Sequence, residues 1–140
     1  MRPETAIFIE NARKMLERGR LMLGVPLYDD AGRAAYLAAF HAAQPLIFER
    51  EQRILKSHHG VQSEFHRLAR DIPGIGPELP RFLSSAFRLK TVADYDPSGH
   101  IHPPPEEIEA ALEAAAQFVQ AIETFVSAAP SVARNKPDDQ

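Results

Sequence analysis

The sequence predicts an all-α protein, an antiparallel up-and-down bundle of four to five helices. Three observations predict it. Apolar residues recur every three to four positions through most of the chain. No run of β-branched and aromatic residues alternates with period two, as a strand would need. Stretches rich in Pro and Gly cut the chain into five segments, each of single-helix length.

The first helix is expected from Pro3 to Leu23, with Ile9, Ala12, Leu16 and Leu23 as its inner stripe. Gly24, Val25 and Pro26 stop it, because Pro cannot continue a helix and Gly accepts a left-handed cap. Asp29 or Asp30 should cap the second helix, which runs to about Arg53. One stripe of that helix is Ala31, Ala34, Ala35, Ala38 and Ala42; the other is Tyr36, Phe40, Ala43 and Ile47. A helix apolar on two faces belongs at the centre of a bundle, and alanines allow close approach. Pro45 predicts a kink or irregular turn near Ala42 to Pro45.

Ser57 should cap a third helix that extends to Arg70, with Val61 and Phe65 inward. The connector DIPGIGPELP precedes a fourth helix, expected from Pro80 to Ala93. A second irregular stretch, YDPSGHIHPPP, leads to a fifth helix from Pro105 to Ala128. Its apolar positions from Ile108 to Val126 keep helical spacing, and Glu106, Glu107 and Glu109 sit where the helix dipole favours anions. Residues 1–128 are expected to make one domain, and residues 129–140 a disordered tail.

Composition narrows the function. The chain has 140 residues, 44% apolar and 25% charged, so roughly two thirds of its unfolded surface can be buried without a staple. It contains no cysteine, which excludes disulfides, thiolate metal sites and cysteine nucleophiles. The net charge of −3 argues against nucleic-acid binding by bulk charge and leaves room for a local basic patch. The N-terminus lacks the apolar core of a signal peptide, and no window of 18 apolar residues occurs, so a cytoplasmic protein without a membrane span is expected.

Three constellations could carry chemistry. RLKTVADYD, from Arg88 to Asp96, puts an Arg, two carboxylates and a Tyr at a helix end. Arg88 and Tyr95 are seven apart and share a face, and an Arg near Asp94 or Asp96 could hold a phosphate beside a proton acceptor. The bland reading is an Arg–Asp pair that ties the helix down. LKSHHGV places Lys56, His58 and His59 at a helix N-terminus, which suits an anion; the bland reading is a capped helix with half-exposed histidines. His100 and His102 form an HxH pair with no carboxylate at ligand spacing apart from Asp94 and Asp96, so an exposed loop is expected there and no metal. His41 and His66 read as structural or surface residues. No phosphate-binding Gly loop, nucleophile elbow or HExxH occurs, and no cofactor is expected.

Four stretches together resemble a known family. They are DDAGRAAYLAAFHAAQPLI (Asp29 to Ile47), LKSHHGVQSEF (Leu55 to Phe65), SSAFRLKTVADYD (Ser84 to Asp96) and AAAQFVQAIETF, which ends at Phe125. Their order and spacing resemble the HEPN family, the higher-eukaryote and prokaryote nucleotide-binding domains. The similarity is to its small stand-alone prokaryotic branch, with a YYAxFHAA helix, a KTHxGV turn and an R…ADY helix end. The resemblance implies a helical bundle, often a homodimer, and an RNA-cutting toxin encoded beside a small nucleotidyltransferase antitoxin. In the ribonuclease members an Arg and a His four to six residues later form the site across the dimer cleft. Arg88 matches that Arg; Asp94 stands about where the His would be. A carboxylate repels the phosphate it must approach and gives up no proton at neutral pH unless its pKa is raised.

Three readings follow. In the first, the chain is a non-cutting component that binds a nucleotide, RNA phosphate or a nucleotidyltransferase through Arg88, Asp94, Tyr95, Lys56 and His58. In the second, it is a metal-independent endoribonuclease, with Arg88 on the phosphate and His58 or Asp94 as base. In the third, these residues only hold the fold. The first two expect Arg88 to share a solvent-filled hollow with the Lys56–His59 turn.

Overall fold

The computed structural model describes residues 1–95 and 102–128. Asp96 and His100, and the tail at 129–140, lie outside the described residues. Five helices run in order: α1 (Pro3–Gly24), α2 (Tyr28–Glu51), α3 (His58–Arg70), α4 (Glu78–Tyr95) and α5 (Pro105–Ala128). Among the described residues there is no strand, and the fold is the all-α bundle that the periodicity predicts.

α2 is the central rod, packed against all four other helices. Its alanines explain why. Ala31, Ala35, Ala38, Ala39, Ala42 and Ala43 are fully buried, and small side chains let neighbouring backbones close in from several sides. Two glycines mark the closest approaches. A Cβ on Gly19 of α1 would lie 3.3 Å from the Ala34 Cβ and 2.6 Å from a Leu112 methyl of α5. A Cβ on Gly32 of α2 would lie 2.8 Å from an Ile108 methyl and 3.5 Å from the Leu89 Cβ. Phe65, Leu83, Phe118 and Ile122 fill the remaining core.

Some element ends differ from expectation. α2 starts at Tyr28, with Leu27 as an N-cap that makes no side-chain bond. Asp29 and Asp30 are therefore not caps; they occupy the first turn, where the dipole still favours them. The helix also runs unbroken through Pro45 to Glu51, ahead of the expected end at Arg53. Pro45 removes one backbone bond, yet Gln44, Pro45, Leu46 and Ile47 are all buried, and packing on both faces holds the helix together. α2 stops at Gln52, whose φ of 54° is left-handed. α4 starts at Glu78, two residues before Pro80, because a Pro in the first turn has no intrahelical N–H bond to lose. Ser57 caps α3 as expected, accepting from the Gly60 N–H at 2.9 Å.

The connector at 52–57 positions the candidate site. It folds back along α2, held where the Gln44 Nε2 donates to the Leu55 carbonyl at 2.9 Å. α3 consequently begins beside Tyr36, in the first half of α2, and Arg67 reaches Glu51 at the end of α2. α3 thus lies alongside α2 in the same direction. The antiparallel order holds for α1 with α2, where Thr5 bonds Glu49, and for α3 with α4, where His59 meets Phe87. It also holds for α4 with α5, where Arg88 meets Glu107 and Phe82 meets Phe118.

Candidate functional site

The fold-back delivers His58, the first residue of α3, into an aromatic box. Its ring lies 4.6 Å from Phe40, 5.4 Å from Phe87 and 5.5 Å from Tyr36, centroid to centroid. The fully buried Tyr36 places its hydroxyl 2.8 Å from His58 Nδ1. Burial pushes the Tyr36 phenol up to about 12, so it stays protonated and can donate. The Gln62 Nε2 donates to the same hydroxyl oxygen at 3.4 Å. Donation from the phenol to His58 Nδ1 is the arrangement that gives both the buried phenolic proton and the Gln62 amide an acceptor. The neutral imidazole then carries its own proton on Nε2. Burial lowers the His58 pKa, and the charge of Lys90 lowers it further. His58 is therefore a neutral ring whose basic nitrogen is already occupied and whose other nitrogen is a donor.

Phe87, Lys90 and Asp94 are spaced by three and four along α4 and share one face. Asp94 accepts from Lys90 Nζ at 2.7 Å and pairs with Arg33 Nε of α2 at 2.9 Å. The Lys90 hydrogen bond, joined by the Arg33 charge, holds the Asp94 carboxyl below the usual carboxylate range. Asp94 is thus a committed carboxylate. It gives up no proton at neutral pH and is a weakened base.

Arg88 is placed elsewhere. One residue past Phe87, its side chain is turned about 100° around α4. It pairs with Glu107 in the first turn of α5, about half exposed, beside a shallow pocket of about 240 Å³ that Phe82, Ser85 and Ala111 also line. The expected hollow shared by Arg88 and the Lys56–His59 turn does not form within one chain, because Arg88 is drawn to Glu107 of α5 while His59 packs against Phe87 on the α3 side. Tyr95 is 69% exposed, with the Lys90 ammonium 5.3 Å from its ring centre. Lys56 is exposed just before the Ser57 cap. His59 points away from His58, into a groove between α3 and α4 that Gln62, Ser63, His66 and Ser84 also line.

The structure therefore sets His58 within electrostatic reach of the Lys90–Asp94 pair, with Arg33 and Tyr36 as partners that the sequence reading missed. The signal was partly present. Lys90 and Asp94 are four apart and Arg33 and Tyr36 three apart, both helical pair spacings. His102 is drawn to Asp29 at 2.6 Å across the start of α2. Among the described residues no group of three or more His, Asp or Glu is gathered for a metal. No described helix is long and apolar enough to cross a membrane.

Comparison with known proteins agrees with this architecture. A candidate toxin of Methanocaldococcus jannaschii is 30% identical over 122 residues, 87% of this chain and 88% of that protein. The crystal structure of TT1696 from Thermus thermophilus superposes with a TM-score of 0.69 at 23% identity, covering 88% of this chain and 98% of the other, and so shares the fold. The HEPN domain profile matches residues 5–125. With nearly every described residue inside that match, the chain belongs to the HEPN family.

Proposed function

We propose that the chain is a toxin–antitoxin-type or accessory HEPN component that binds RNA phosphate, a nucleotide or a small nucleotidyltransferase partner without cutting RNA. One observation carries this reading: Asp94, at the position of the missing imidazole, is kept ionised between Lys90 and Arg33. The exposed Arg88, away from that cluster, can hold a phosphate, and Asp94 supplies no proton with which to expel a leaving oxygen. Family membership and the relative named as a candidate toxin support the toxin-type setting. A homodimer in the cytoplasm is the form in which such a component would work.

A second reading is an active metal-independent endoribonuclease. The half-exposed Arg88 favours it, because a partner chain could complete the site there. The same experiment decides between them. Purified protein is incubated with single-stranded RNA in chelator, beside Arg88→Ala, and co-purification with the neighbouring gene product is measured. Binding of RNA or partner without cleavage is expected. Cleavage that survives chelator and vanishes in Arg88→Ala would establish the ribonuclease instead. Silence in binding, co-purification and cleavage would overturn both readings.

A further inference from the structure

The groove between α3 and α4 is not used by the cluster at His58. It encloses about 300 Å³ and is lined by His59, Gln62, Ser63, His66 and Ser84. Every lining residue carries a side chain able to donate a hydrogen bond, and none is a carboxylate. The side chains of His59, Ser63, His66 and Ser84 make no hydrogen bond or ion pair with any described residue, and Gln62 makes one, to Tyr36. In a chain of net charge −3 that pattern needs an explanation. The nearest acid of α3, Glu64, is held by Arg67 and Arg53 on another side of the helix. Asp71 follows the end of α3 and Glu78 begins α4, and neither lines this groove.

α4 adds a cation. Arg81 lies one turn before Ser84 on the same face, is exposed and pairs with no described carboxylate. Arg88 lies one turn beyond Ser84, so the ridge of α4 runs from Arg81 past Ser84 to Arg88. Hydroxyl and ring N–H donors in a groove lined by no carboxylate, with Arg81 one turn away along α4, suit a phosphate oxyanion better than any apolar or cationic ligand.

We propose that this groove seats a phosphodiester of single-stranded RNA, with His59 and His66 donating from α3, Ser63 and Ser84 completing the cradle, and Arg81 supplying charge. The proposal rests on the RNA-binding reading above and names the surface that does the binding. The strand crosses the ridge of α4 between this groove and Arg88.

Fluorescence anisotropy with a labelled oligouridylate tests it, with uridine monophosphate as competitor. The double variant His59→Gln/His66→Gln should bind roughly tenfold more weakly. Arg81→Gln should make the salt dependence shallower by about 0.7 in the log–log slope, the value for one lost phosphate contact on a single strand. Arg18→Gln removes an equal charge from α1, which lies away from α3, and should bind as wild type does. Imidazole NMR signals of His59 and His66 should move on titration while that of His58 holds. Equal weakening by Arg18→Gln and Arg81→Gln overturns the groove and leaves RNA binding standing. Displacement by the mononucleotide at matched phosphate concentration overturns the strand. Absence of binding by the wild type overturns the groove and the RNA reading together.

Discussion

At the scale of single residues, His58 shows how a partner decides what an imidazole can do. The Tyr36 hydroxyl occupies Nδ1, so the ring is a donor and a poor base. Tyr36→Phe should remove that bond and strand the Gln62 amide, lowering stability by about 1–2 kcal/mol in denaturant titration. The His58 ring would then lose its fixed tautomer, visible as altered ring-nitrogen shifts. Burial also depresses the proton affinity of His58 and of His41, both from 6.5. The unfolded chain therefore takes up protons at these rings before the folded one does. Their contribution is complete above pH 6.5 and is lost as pH falls toward their lowered folded values. Thermal melting across that window should show the decline, and His58→Asn should make it shallower. Arg88 behaves differently. Its pair with Glu107 is half exposed, so Arg88→Ala should cost less than about 1 kcal/mol. A large loss on melting would return Arg88 to a purely structural role.

At the scale of elements, local signals were legible where one residue's chemistry sets an end. Ser57 followed by a helical pattern is a capping signal, and the cap forms. Pro105 and the acidic turn after it located α5 to the residue. The misreadings have a common cause. Asp29 and Asp30 resemble caps, and Pro45 resembles a breaker, only when the rest of the protein is ignored. Packing moved the start of α2 to Tyr28 and carried the helix through Pro45. The small residues that permit this packing are themselves testable. Gly32→Val would push into Ile108 and Leu89, and a loss of about 1–3 kcal/mol or more is expected on denaturant unfolding.

At the scale of the whole molecule, α2 and α4 meet around one cluster of charges, Arg33, Lys90 and Asp94. Lys90 is only 13% exposed and depends on Asp94 for its counter-charge. Asp94→Asn should leave that ammonium and Arg33 short of a partner, with an expected cost of about 1–3 kcal/mol on calorimetric melting. The cluster ties α2 to α4, and the candidate RNA groove lies between α3 and α4. Whether two copies join is decided by light scattering, and a strict monomer at micromolar concentration would remove any site shared between chains.

The five rods, most of their ends, the Ser57 cap and the family were all written in the order of residues, because helical periodicity and capping act over a turn or two of chain. Which of two adjacent histidines turns inward was not. Neither was the meeting of Arg33 with Asp94, nor the turning of Arg88 toward α5. Those outcomes depend on how each rod is rotated about its own axis and on a connector that doubles back along α2. Rotation and return path are set by alanines and glycines packing across helices far apart in sequence, a condition that only the folded chain imposes.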